Sequence, residues 1–176
     1  MWVKYLVIAA LFYIFAVLQN SFLVHFNILG IIPNLVLIFY FLLLFFEKTD
    51  KFHLGIFGAF IAGFLLDIFS HYYLGISIVL LVFLMFVVKK ILQILWDRSD
   101  EYSIIYFISL FILYLISYRV ILNVCMLFLS PPFADFTVNW ALLIVGAYNL
   151  LFALIGFYFF DKFNILSGED RQLKLF

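Results

Sequence analysis

In 176 residues this chain carries ten Lys and Arg against ten Asp and Glu, with 69% hydrophobic residues, 11% charged residues and a mean hydropathy of +1.26. A composition this apolar, with 26 Phe, excludes a water-soluble domain, and the net charge of zero says little because the position of each charge relative to a bilayer is what matters. No basic run offers a nucleic-acid surface, and the lone Cys125 excludes an intrachain disulfide or a cysteine metal cluster.

Taken in chain order, the apolar runs predict six membrane spans in a single transmembrane domain. The first, about 2–18, has the length of a signal peptide, but no small-residue cleavage site stands out and more spans follow, so it reads as a retained anchor. The second covers about 28–46. Residues 22–32 are apolar but broken by His25, Asn27 and Gly30, with Pro33 next, which predicts an interfacial or kinked entry to the second helix rather than a separate span. The remaining spans are about 54–69, 74–95, 102–129 and 140–160. Trp2, Trp96 and Trp140 fall at span ends, where an aromatic belt is expected.

Charge orients the bundle. Lys4, Lys48, Lys51, Lys89, Lys90, Arg98, Lys162, Arg171 and Lys174 all fall at one set of span ends, and the turns 19–33, 70–73 and 131–139 contain no Lys or Arg. The positive-inside rule therefore places both termini in the cytoplasm. Lys48, Lys51, Lys89, Lys90 and Arg98 read as topology anchors meeting anionic headgroups, with contact to a cytoskeletal protein as the alternative.

The third span holds the densest signal. Gly55, Ala59 and Gly63 recur every four residues, with Gly58 and Ala62 on the neighbouring edge. Such a stripe lets another helix approach closely, either within the bundle or from a separate membrane protein. Asp67 continues the row. A charge at this depth costs about 2.5–3.5 kcal/mol even on lenient insertion scales, and two readings are open. Asp67 pairs with Arg119, the one basic residue that violates the inside rule, or it caps the turn at Ser70 while Arg119 meets backbone carbonyls. In the sixth span Gly146, Asn149, Ala153 and Gly156 share an arc that faces the bundle, and Asn149 and Asn123 are candidates for interhelical hydrogen bonds.

Catalysis finds little support. His25, His53 and His71 fall in different turns, with no metal-ligand spacing among them. Phosphate loops, nucleophile elbows and paired intramembrane carboxylates are missing as well. The expectation is a protein that is not an enzyme, with no catalytic, cofactor-binding or metal-binding residue.

A further pattern runs through the first half of the chain. Leu18-Gln19 closes the first span and Pro33-Asn34 opens the second; Gly63-Phe64-Leu65-Leu66-Asp67-Ile68-Phe69-Ser70 is followed by Leu74-Gly75-Ile76-Ser77. In order and spacing this resembles the rod-shape-determining protein MreD family, over roughly residues 2–90. The resemblance implies a non-enzymatic subunit of the bacterial cell-elongation machinery in the inner membrane. It implies work with the bitopic protein MreC and, through it, with MreB, RodA and a class B penicillin-binding transpeptidase. By family analogy the fold is expected to resemble the substrate-binding subunits of energy-coupling-factor transporters. Such a vitamin- or metal-binding subunit is also the main alternative function. Against it, the Ala-x-x-x-Ala docking face is missing from the first span, where Ala9 is followed four residues later by Tyr13. The outer segments also supply only His25, Asn27, His71, Asp135 and Asn139 as polar groups. A flippase or channel would want more intramembrane polar residues than Asp67, Arg119, Asn123 and Asn149.

Overall fold

A computed structural model of the protein describes residues 2–27, 30–47, 51–70, 73–96, 104–129 and 140–163. The helices among them are α1 (Trp2–Val17), α2 (Leu35–Phe46), α3 (His53–Ser70), α4 (Ile76–Trp96), α5 (Ile104–Leu129) and α6 (Trp140–Phe163). Five helical stretches are long and apolar enough to cross a membrane, as a multi-pass membrane protein requires; the first of them runs from Trp2 to Phe26. The sixth, α2, differs in kind. Its 12 residues rise only about 18 Å, short of a hydrocarbon core of about 30 Å.

Every residue from Val36 to Phe45 is buried, and α2 touches α1, α3, α4, α5 and α6. A helix that is apolar on all sides belongs inside a bundle, and α2 offers Tyr40 as its one polar side chain. Around this central rod α3 packs on α1 and α4, α4 on α5, and α5 on α6. Because lipid tails are as apolar as the core, the helices are held by close packing rather than by escape from water. Aromatic rings supply much of the contact. Phe39 meets Phe12 and Phe15 of α1, with ring centroids 4.7 and 5.0 Å away. Phe41 and Phe45 meet Phe107 of α5 at 5.5 and 5.1 Å, and Phe107 meets Phe157 of α6 at 4.6 Å. Edge-on and tilted pairs of this kind contribute about 0.5–1.5 kcal/mol beyond their buried area.

Two predicted boundaries move. The first helical stretch does not stop at residue 18. It continues through a π turn, Leu18–Phe22, and a 3₁₀ turn, Leu23–Phe26. Asn20 donates its side-chain amide to the Ala16 carbonyl at 2.8 Å, and the Leu23 N–H reaches back five residues to the Leu18 carbonyl. An amide competing for the backbone acceptor in this way widens the turn without breaking the rod. Residues 22–26 therefore belong to the end of the first helix and do not form an entry to the second.

The second helix begins at Leu35 rather than near residue 28. Gly30, at φ +78, turns the chain, and Pro33 holds the next residues out of helical geometry. Asn34 then caps α2, its side-chain oxygen accepting the Leu37 N–H at 3.0 Å. The other boundaries agree with the predicted spans to within a few residues.

Candidate functional site

Three polar joints tie this apolar bundle together, and each consists of a side chain satisfying a helix start. The first is at the end of the bundle where Lys4, Lys51, Lys90 and Lys162 are exposed. Glu47 follows α2 directly. Its two carboxylate oxygens accept the backbone N–H groups of Leu54 and Gly55 at 2.9 and 3.2 Å, and the first turn of α3 favours a negative charge there. Lys89 of α4 completes the joint. Its ammonium stands 3.1 Å from a Glu47 carboxylate oxygen and donates to the Glu47 carbonyl at 3.0 Å. Both side chains are nearly inaccessible, 2% and 3% exposed.

This overturns the expectation that Lys89 is a headgroup anchor. Lys89 is on the side of α4 that faces Glu47 inside the bundle, while Lys90, one residue on, is exposed. Lys51 is exposed too. Lys48 and Arg98 lie outside the described residues, as do His71, Asp135 and Asn139.

The second joint links α3 and α4 at the opposite end. Asp67 is 1% exposed. One carboxylate oxygen accepts the Gly75 N–H at 2.6 Å and the other the Ser77 N–H at 3.1 Å. Gly75 adopts φ +101, a conformation that side chains rarely take. The hydroxyls of Ser77 and Tyr118 lie 3.4 Å apart, extending the joint to α5. Asp67 is thus a cap on the start of α4 and not the partner of Arg119, whose side chain is exposed. Backbone N–H groups at a helix start neutralise a carboxylate as a cation would. Of the motif positions, Gly63, Asp67 and Gly75 meet here; Ser70 and Leu74 are exposed.

The third joint is the deep start of α2. The Asn34 N–H donates to the side-chain oxygen of Asn149 on α6 at 2.8 Å, and the Asn149 amide donates to the Val145 carbonyl at 2.7 Å. Non-helical backbone inside a bundle needs partners from the protein itself, and Asn149 supplies one here. Pro33 is buried beside it. Asn123, half-buried on α5, takes no such role among the described residues. Gln19 sits in the π turn with its side-chain oxygen buried and without a hydrogen-bond partner.

Small residues make these joints possible. A Cβ at Gly63 would lie 2.6 Å from the backbone of Ile78, so α3 and α4 touch main chain to main chain. At Gly55 it would meet Met85 at 2.7 Å and Leu44 at 2.9 Å, and at Gly58 the ring of Tyr40 at 3.2 Å. Ala59 and Ala62 are fully buried. The stripe is therefore occupied by the protein's own α1, α2 and α4. On α6, Ala153 is buried and Gly156 receives Leu42, whereas the space around Gly146 is open.

Sequence reasoning missed Glu47, Tyr40 and Ser77. Tyr40 places its hydroxyl between the Gly55 and Leu81 carbonyls, at 3.2 and 3.1 Å, bridging α2 to α3 and α4. A signal existed for Glu47 alone: a carboxylate closing an apolar run, eight residues before the small-residue stripe begins at Gly55. Among the described residues no three His, Cys, Asp or Glu side chains gather as metal ligands would. Comparison with protein families, curated proteins and solved structures finds no match to this chain.

Proposed function

We propose that this protein is a non-enzymatic scaffold subunit of the bacterial cell-elongation complex, similar to the MreD family. It would lie in the inner membrane with six passes, the second made by the short α2 together with the non-helical residues 30–34 before it, and with the Lys- and Arg-bearing end in the cytoplasm. Its contacts would be with MreC and, through it, with MreB, RodA and a class B penicillin-binding transpeptidase. The observation that carries this reading is the second joint. Three motif positions on which the resemblance rests, Gly63, Asp67 and Gly75, are engaged in holding α3 against α4. Residues engaged in this way hold a shape and leave no free acid, base or nucleophile at that place.

A rigid bundle suits such a role. Glu47, Asp67 and Asn149 are committed to helix starts, and apolar surface is left to partners on the outer helices: Leu6 and Tyr13 of α1 and Leu151 and Tyr158 of α6 are all exposed. Partner helices would pack on these faces by shape, the interaction available inside lipid.

The test is affinity purification of the tagged protein from native membranes in a mild detergent, with mass spectrometry of what copurifies. Recovery of MreC with RodA and the transpeptidase is the expected result. Recovery of an ATPase with its coupling subunit would refute it and favour an energy-coupling-factor substrate-binding subunit, with ligand identification as the next step.

A further inference from the structure

Arg119 is the one basic residue away from the basic ends. It lies 15 residues past Ile104 and ten before Leu129 in a 26-residue apolar helix, about 22 Å and about 15 Å of rise from the two ends. Its side chain is exposed, and it makes no hydrogen bond or ion pair with another described residue. The carboxylates among the described residues lie elsewhere. Glu47 and Asp67 are buried in their caps, and Asp161 stands at the basic end of α6.

One flank of Arg119 is apolar and exposed. Tyr118, Leu122 and Met126 turn into the bundle. At 100° per residue Ile112, Asn123, Ile116, Leu127 and Val120 fan out on the other side of Arg119; the four aliphatic ones are exposed and Asn123 is half-buried. A guanidinium keeps its proton, and in hydrocarbon it needs an anion, because an unpaired charge at depth costs about 2.5–3.5 kcal/mol on the most lenient scale. A headgroup phosphate fits poorly. Helical side chains leave the backbone tilted toward the helix N-terminus, so Arg119 sets out toward the farther end of α5 and away from the nearer one.

We propose that the strip of α5 formed by Ile112, Ile116, Arg119, Val120 and Asn123 docks a membrane-spanning helix of another protein that carries an Asp or Glu at the depth of Arg119. The guanidinium receives that carboxylate through its fork of donors, Asn123 adds an amide one turn on, and the flanking Ile and Val side chains pack the partner's apolar face. A second copy of this chain fits less well, since none of its described carboxylates faces lipid at this depth. The inference stands on α5 alone and does not require the cell-elongation assignment.

The test places a photo-crosslinking amino acid at Ile116 or Val120 of the full chain in its native membranes, with Phe83 of α4, also exposed, as the comparison site. The expected result is an adduct with one membrane protein from both α5 positions and not from Phe83, the captured span containing an Asp or Glu. Arg119→Gln and Arg119→Glu should lower its yield about tenfold or more. Exchanging the captured acid for Arg should restore the adduct to Arg119→Glu and not to the wild type. Adducts with lipid alone, adducts with a second copy, a captured span without an acid, or a yield indifferent to Arg119→Glu would each overturn the proposal. The Arg119→Gln protein should remain monodisperse in detergent with unchanged thermal stability. A variant that unfolds would reveal an internal partner for Arg119 and overturn the proposal as well.

Discussion

Glu47 and Lys89 lend themselves to a double-mutant cycle because their two losses are unequal. Lys89→Met leaves a carboxylate that still accepts two backbone N–H groups, those of Leu54 and Gly55, at the favourable end of α3. Breaking a buried ion pair generally destabilises by about 3–5 kcal/mol, and the helix start should hold this variant near or below the low end, at about 2–3 kcal/mol. Glu47→Gln is worse. It removes the counter-charge from a buried ammonium, 2% exposed, which keeps the backbone carbonyl of residue 47 as an acceptor, and it leaves a neutral amide with a single acceptor oxygen for two N–H groups, which places it at about 4–5 kcal/mol. In the double variant no charge is stranded, and a neutral amide facing a methionine should cost about 1–2 kcal/mol in all. The cycle then shows a coupling of about 4 kcal/mol or more, far above the few tenths expected of independent sites. The assay is reversible unfolding of the purified protein in mixed micelles as the denaturing detergent fraction rises, read by tryptophan fluorescence. Additive effects, or two single variants within about 0.5 kcal/mol of wild type as for an exposed pair, would refute a buried joint and return Lys89 to the membrane surface.

The same unfolding assay checks the other expectations. Gly63→Ala should destabilise, because a Cβ 2.6 Å from the Ile78 backbone forces α3 and α4 apart, and overpacking of about 1–3 kcal/mol exceeds the gain of about 1 kcal/mol in helix propensity. Gly146→Ala is its control: with nothing within 4 Å, only the propensity gain remains and the protein should be stabilised by up to about 1 kcal/mol. Asp67→Asn should destabilise by about 1–3 kcal/mol, since an amide offers one acceptor where Gly75 and Ser77 need two. An unchanged midpoint would mean that Asp67 does not cap α4. Asn149→Ala should cost about 1–2 kcal/mol by leaving the Asn34 N–H without its acceptor, and Asn123→Ala close to nothing.

Length and apolarity made the helices legible. A run such as Ile104–Leu129 admits no other backbone structure in hydrocarbon, because each N–H must find its carbonyl within the helix. The small-residue stripe and Asp67 were also visible, since Gly and Asp are conspicuous in an apolar run. The identity of their partners was not. The sequence left Asp67 between pairing with Arg119 and capping the turn at Ser70, because it contains neither the rotation of each helix nor the backbone N–H groups exposed at the start of α4. Lys89 was misread for a related reason: its place near other basic residues suggested the surface, while the rotation of α4 turns it toward Glu47 and turns Lys90 outward.

Composition and the spacing of apolar runs by themselves determined a helical membrane bundle, because local hydrogen bonding is the backbone's only recourse in lipid. Which helix is central, which glycines touch and which charges are neutralised depended on how the rods pack. Those contacts join residues far apart in the chain, 115 positions in the case of Asn34 and Asn149. No local pattern encodes such a meeting; it follows from filling the space around one short helix, α2, that is apolar on nearly every side.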